Sequence, residues 1–152
     1  MTPGPISASV VADRVEWIRR MLAGIRSLPL QSLDEFTTSP STVAAAESYL
    51  RRALEALLDL GRHVLAKGFG QAVAEYKAIA TALAEQGVLS AADAALLVIL
   101  AGYRNRMVHF YHAVSDEELW LICRDNADDI ERVLNAVLAW LRTHPTKVDD
   151  GI

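Results

Sequence analysis

Apolar residues recur every three or four positions along most of this chain, and this spacing limits its possible folds more than any other feature. Near the N-terminus they step by four, three, four and three residues, which puts them on one helix face: Val11, Val15, Ile18, Leu22 and Ile25. No stretch alternates apolar and polar residues for long enough to predict a strand. The sequence therefore predicts an all-α fold.

Prolines, glycines and polar stretches divide this pattern into predicted helices. Pro29 ends the first helix, and the polar stretch 31–40 that follows is predicted to be a loop. The second helix is expected to begin at Pro40, since proline suits the first turn of a helix. It ends near Lys67, because two glycines follow within three residues.

Three further helices are predicted after these glycines. The third ends before Gly87, because glycine is the residue most often found just past a helix C-terminus. Ser90 opens the fourth, whose apolar residues extend nearly all the way round, so this helix is expected to be central or covered on one side by a second subunit. Ser115 and Glu118 form a capping box for the fifth. Because the connections are short, we expect an up-and-down bundle of four or five helices.

Length and composition fit one domain over residues 1–152, with loose termini at about 1–5 and 145–152. The longest apolar run, 94–101, is much shorter than the ~20 residues that cross a bilayer. Charged residues interrupt any apolar core near the N-terminus, so no signal peptide is predicted. We therefore expect a cytoplasmic protein. Cys123, the single cysteine, is predicted to be a buried core thiol.

Charge is unevenly distributed along the chain. A net charge of −4 argues against a broad surface for nucleic acid. Within residues 103–112, however, basic and imidazole side chains gather without any acid: Arg104, Arg106, His109 and His112. This cluster indicates a local anion site. The alternative is a helix C-terminus whose cations complement the helix dipole.

An arginine and a histidine are sufficient for RNA cleavage without a metal. A neutral imidazole can take the proton of a ribose 2′-hydroxyl, and a guanidinium can stabilise the charge that develops on the phosphoryl oxygens. Arg104 and His109 lie about 140° apart on a regular helix. They are thus expected to converge only if the helix bends or ends there, or if a second subunit supplies the partner. Asn105, His109 and His112 share a face if the helix continues.

Three segments carry a family resemblance: Glu-Ser-Tyr-Leu-Arg-Arg-Ala-Leu-Glu-Ala-Leu-Leu-Asp-Leu at 47–60, Ala-Glu-Gln-Gly-Val-Leu at 84–89 and Arg-Asn-Arg-Met-Val-His-Phe-Tyr at 104–111. From about Val43 to Leu141 the chain resembles the HepT-like branch of the HEPN (higher eukaryote and prokaryote nucleotide-binding) superfamily. The resemblance implies a helical bundle that dimerises so that two motifs face a shared cleft. It also implies an endoribonuclease toxin that cleaves RNA and is neutralised by a minimal nucleotidyltransferase antitoxin.

The resemblance also implies roles for individual residues. Arg104 and His109 correspond to the catalytic pair, and Tyr111 corresponds to the tyrosine that the nucleotidyltransferase partner modifies with AMP. The neighbouring polar residues are expected to support contacts to RNA or phosphate: Asn105, Arg106 and His112. Neither a cofactor nor a metal ion is expected.

Two other functions stay open from the sequence. The chain could be a non-catalytic scaffold that binds a nucleotide or the nucleotidyltransferase partner, or a purely structural helical dimer. Asp59 and His63 lie four residues apart on the second helix, so they could form a surface ion pair or orient the catalytic arginine. His144, beside Pro145, is expected to be solvated.

Overall fold

The computed structural model describes residues 3–109 and 114–149, and these residues are mostly helical. In chain order the helices are α1 (Ala8–Arg26), α2 (Leu33–Thr37), α3 (Pro40–Phe69), α4 (Tyr76–Glu85), α5 (Ala91–His109), α6 (Asp116–Asp125) and α7 (Ala127–Thr143), followed by a 3₁₀-helix (Pro145–Lys147). The predicted all-α fold is confirmed. None of the described helices is both long and apolar enough to cross a membrane.

The 30-residue α3 lies at the centre and contacts each of the other described α-helices. Its buried residues cover more than one face, as a helix surrounded by others requires. Glycines let the neighbours approach closely. A Cβ at Gly61 of α3 would lie 2.9 Å from Ile79 of α4, and a Cβ at Gly24 of α1 would lie 2.6 Å from the Tyr49 ring of α3.

Capping residues end α3 and begin α5 and α6 close to the positions that the sequence predicts. Gly70 has a φ of 63°, which is the left-handed conformation that closes α3. The Ser90 hydroxyl accepts the backbone N–H of Asp93 at 3.1 Å before α5, and the Ser115 hydroxyl accepts that of Glu118 at 3.1 Å before α6. These local signals make the helix starts predictable from a few neighbouring residues.

Two predicted boundaries are wrong. The stretch 31–40, predicted to be a loop, contains α2, because the Ser32 hydroxyl caps the N–H of Glu35 at 3.1 Å and Phe36 is fully buried. The predicted fifth helix is two helices, α6 and α7, which meet at Asn126. The side chain of Asn126 donates to Asp129 at 2.8 Å in the first turn of α7.

Described residues near the N-terminus and near the C-terminus are joined to each other. Ile6 is fully buried and forms a parallel bridge with Val148. Its N–H donates to the Lys147 carbonyl at 2.8 Å, and its own carbonyl accepts the N–H of Asp149 at 2.9 Å. The N–H of Ala8, at the start of α1, donates to the Asp149 carboxylate at 2.9 Å.

Two side chains outside the basic cluster test further predictions. Cys123 is a buried core thiol, as predicted, and burial raises its pKa to about 12. His144 is not simply solvated. Its ring stacks on that of Trp140 with centroids 4.3 Å apart, and its Nδ1 lies 2.8 Å from the Trp140 carbonyl oxygen.

Candidate functional site

A cleft of about 700 Å³ lies beside the C-terminal part of α5. One wall comes from α5 and the other from the start of α4, the residues just before it and one residue of α3. The lining residues are Arg62, Ala74, Glu75, Tyr76, Lys77, Gly102, Arg104, Asn105, Arg106 and His109. Both members of the predicted catalytic pair thus line one cleft of a single chain, while α5 stays helical as far as His109.

Arg104 is held in place from two directions. Its Nε donates to Glu55 Oε1 of α3 at 3.4 Å, and its guanidinium carbon lies 4.5 Å from the centroid of the Tyr76 ring. The Arg104 side chain is only 18% exposed. Glu55 also pairs with Arg51, one turn earlier on α3, at 3.4 Å. The guanidinium is therefore positioned before any ligand binds.

The Tyr76 ring is supported in turn by Arg62, whose guanidinium carbon lies 5.0 Å from the ring centroid. Arg62 also donates to the carbonyls of Val73 and Ala74, at 3.1 Å and 2.9 Å, and to Asp59 at 3.0 Å. These contacts fasten the residues before α4 to α3. Arg62 thereby fixes the wall that carries Tyr76.

Asp59 and His63 do not pair with each other. Asp59 binds Arg62, whereas His63 Nε2 accepts the backbone N–H of Ser7 at 3.0 Å, just before α1. Burial lowers the pKa of His63, which agrees with a neutral ring that accepts a hydrogen bond. The residue that contacts the predicted catalytic arginine is Glu55, one turn before Asp59.

The predicted supporting residues have different surroundings. The Asn105 side-chain oxygen lies 3.4 Å from a guanidinium nitrogen of Arg104. Arg106 forms a two-pronged ion pair with Glu118 of α6, with one N···O distance of 2.8 Å. This pairing lowers the pKa of the Glu118 carboxyl. Arg106 therefore joins α5 to α6 while it lines the cleft.

His109 is exposed and is the last residue of α5. Tyr111 and His112, which follow it, lie outside the described residues, so their predicted roles stay predictions. Within the residues that are described, no three His, Cys, Asp or Glu side chains are grouped so as to hold a metal ion.

Sequence reasoning missed four residues of this site: Glu55, Arg62, Tyr76 and Lys77. Glu55 could have been suspected, since it lies within segment 47–60 that carries the resemblance. Tyr76 and Lys77 have no such signal, because they begin a helix whose position against α5 depends on packing.

A family described as ribonuclease HepT-like matches residues 18–137. The chain belongs to the ribonuclease HepT-like family. This match confirms the family indicated by the three segments of the sequence. The search of curated proteins gave no match.

Solved structures share the fold of this HepT-like chain at low sequence identity. A tri-AMPylated HEPN toxin from Shewanella oneidensis, solved in complex with an MNT antitoxin, has a TM-score of 0.77 at 18% identity over 86% of this chain and 97% of that one. YutE, a cytosolic protein of unknown function from Bacillus subtilis, has a TM-score of 0.77 at 18% identity over 93% and 94%. A toxin–antitoxin structure with AMP-PNP has a TM-score of 0.75 at 16% identity over 84% and 97%. These similarities establish the HEPN fold.

Proposed function

We propose that this protein is an endoribonuclease that cleaves RNA without a metal ion, with Arg104 and His109 as the catalytic pair. The observation that carries the proposal is that both side chains line one cleft while Glu55 and Tyr76 hold the arginine. Family membership supports the same reaction class. Preorganised cations are the groups that a phosphoryl transfer site needs, because they stabilise charge without reorganising during the reaction.

The reaction is a transesterification within the RNA strand. His109 takes the proton of a ribose 2′-hydroxyl, and the 2′-oxygen bonds to the adjacent phosphorus. The bond to the 5′-oxygen of the next nucleotide breaks, and that oxygen takes a proton from water. The products are a 2′,3′-cyclic phosphate and a new 5′-hydroxyl. Arg104 binds the non-bridging oxygens and stabilises their developing charge. Because it is mostly shielded from water, its interaction with phosphate is stronger than that of an exposed arginine.

The proposal includes a homodimer formed through α5. The residues that α5 buries within the chain are Ala94, Leu97, Leu100, Ala101 and Met107. Ile99, by contrast, is 52% exposed, and Ala95 beside it is exposed as well. Ile99 lies one turn before Gly102, which lines the cleft. A second copy packed on this face would bring the two clefts close together.

The proposal also includes a partner. We infer a minimal nucleotidyltransferase antitoxin, on the ground that the Shewanella oneidensis HEPN toxin was solved AMPylated and in complex with an MNT antitoxin. Tyr111 is the proposed AMP acceptor because it follows His109 by two residues. An AMP group there would bring a negative charge near Arg104 and Arg106, where the RNA phosphate has to bind.

The central test measures cleavage of RNA by the purified protein in the presence of a chelator. We expect Arg104→Ala to lower kcat by roughly 10²–10³-fold and His109→Ala by roughly 10²–10⁴-fold. Arg124→Ala is the matched control, since Arg124 is paired with Asp125 on the exposed surface and lies outside the cleft. All variants should keep the circular dichroism spectrum of the wild type.

The same preparations test the regulation. Co-expression with the nucleotidyltransferase should add one or more AMP masses to the wild type and none to Tyr111→Phe. Cleavage that needs a metal, or that survives in His109→Ala, would refute the mechanism. RNA binding by a wild-type protein that never cleaves would favour the non-catalytic scaffold instead.

A further inference from the structure

The cleft contains a lysine that the proposed reaction does not use. Lys77, the second residue of α4, is exposed and lines the cleft with Arg104 and His109. Its side chain lies across Gly102 of α5, since a Cβ built on Gly102 would lie 3.7 Å from Lys77 Cε and 3.9 Å from Nζ. The missing side chain at position 102 leaves the room in which Lys77 reaches across from α4 to α5.

Lys77 differs from the arginines of the cleft in its charge environment. Each arginine has a carboxylate partner from outside the cleft lining: Asp59 for Arg62, Glu55 for Arg104 and Glu118 for Arg106. In residues 3–109 and 114–149, no ion pair joins Lys77 to a carboxylate. Its side chain is exposed, so a phosphate can bind the ammonium group without displacing a carboxylate.

Lys77 lies farther from His109 along α5 than Arg104 does. Gly102, which Lys77 crosses, and His109 are seven residues apart, or about 10 Å along the helix axis at the usual rise. Arg104 is only five residues, or about 7.5 Å along the axis, from His109. Lys77 therefore lies at the end of the cleft remote from His109, beyond Arg104.

We propose that the cleft binds at least two consecutive phosphates of one RNA strand, and that Lys77 binds the phosphate next to the scissile one. This inference rests on the proposed function, because Arg104 and His109 define which phosphate is cleaved. It makes a segment of RNA chain, and not a single nucleotide, the substrate that fills the site.

Three synthetic RNAs separate the two phosphate positions. A ribodinucleotide contains only the scissile phosphate. A trinucleotide with a 2′-deoxy central sugar is cleavable only at its first phosphate and has the extra phosphate on the 3′ side. A trinucleotide with a 2′-deoxy first sugar is cleavable only at its second phosphate and has the extra phosphate on the 5′ side. Blocking one 2′-hydroxyl works because the reaction requires it as the nucleophile.

The quantity to measure is the ratio of kcat/KM for each trinucleotide to kcat/KM for the dinucleotide. We expect Lys77→Ala to lower this ratio about tenfold for one of the trinucleotides, which is the size of a charged contact to phosphate. The salt dependence of that trinucleotide's log(kcat/KM) should become less steep by roughly 0.7 per lost contact. Lys77→Arg, which keeps the charge, should retain most of the wild-type ratio.

Lys67→Ala is the matched control, since Lys67 is an exposed lysine of α3 that lies outside the cleft lining. It should keep both ratios at the wild-type value. If Lys77→Ala leaves both ratios unchanged, or slows the three substrates equally, the two-phosphate site is wrong while the proposed function stands. If the wild type cleaves none of the three RNAs nor a longer one, the proposed function itself fails and this inference fails with it.

Discussion

At the scale of single residues, the position of Arg104 depends on a carboxylate and a ring that are distant in sequence. Its contact to Glu55 spans 49 residues, and Tyr76 lies on yet another helix. Neither neighbour touches the proposed reacting atoms, so both are positioning residues. Because the arginine side chain is already held in one geometry, it loses less conformational entropy when it binds phosphate.

We expect Glu55→Gln to lower kcat for RNA cleavage about threefold to tenfold with little change in KM. The glutamine keeps the shape of the side chain but removes the charge that orients Arg104, and the contact is modest because it is 3.4 Å long and partly exposed. The pH profile should be unchanged, because His109 still acts as the base.

The matched control for this experiment is Arg51→Ala. It removes the other ion pair of Glu55 and leaves Arg104 in contact. Steady-state kinetics of both variants decide the matter. A Glu55→Gln protein with wild-type kcat, measured beside an inactive Arg104→Ala protein, would show that the pair does not position the guanidinium.

At the scale of helices, His63 joins α3 to the start of α1. Its Nε2 accepts the N–H of Ser7, which requires a ring that is neutral at this nitrogen. Burial is the main cause of its lowered pKa, followed by the charges of Lys67 and Arg14, while Asp149 acts in the opposite direction. Protonation of His63 would turn Nε2 from an acceptor into an N–H donor, which would then face the N–H of Ser7.

This contact predicts how stability depends on pH. The folded pKa of His63 lies below its unfolded value of about 6.5, so the unfolded chain takes up the proton first. The contribution of neutral His63 to the free energy of unfolding is complete above the unfolded pKa. It is lost as the pH falls from the unfolded pKa towards the lowered folded pKa. The glutamine of His63→Gln can accept the hydrogen bond but does not titrate. Between about pH 7.5 and about pH 5.5, urea unfolding should therefore show a larger loss of stability for the wild type than for His63→Gln. Equal losses in the two proteins would contradict this role.

At the scale of the whole molecule, the exposed face of α5 sets the expected assembly. Ile99 is the most exposed large hydrophobic residue among those described. We expect the wild type to be a dimer in solution and Ile99→Asp to be a monomer, since a carboxylate buried in an apolar interface has no partner. Multi-angle light scattering at micromolar concentration measures both.

Leu121→Asp provides the comparison, because Leu121 is an exposed leucine, 37% accessible, that belongs to α6 and not to α5. It should remain dimeric. A monomeric wild type, or a dimeric Ile99→Asp protein, would show that the proposed dimer interface on α5 is wrong. Reduced RNA cleavage by monomeric Ile99→Asp would further indicate that the two clefts act together.

The sequence by itself determined the helical class, most helix starts and ends, and the family. These depend on local signals: the spacing of apolar residues, caps such as Ser90 and Ser115, and one contiguous string from Arg104 to Tyr111. Local hydrogen bonds and side-chain periodicity act within a few residues, so they can be predicted without knowing the fold.

Only the tertiary structure decided which side chains meet around the basic cluster. Glu55 instead of Asp59 contacts Arg104, His63 binds Ser7, and Lys77 crosses Gly102. Each of these contacts joins separate helices, and its existence depends on how far α1, α4 and α5 are rotated and shifted against α3. That arrangement is set by packing of the whole core, including close approaches at glycines, and no short stretch of sequence contains it.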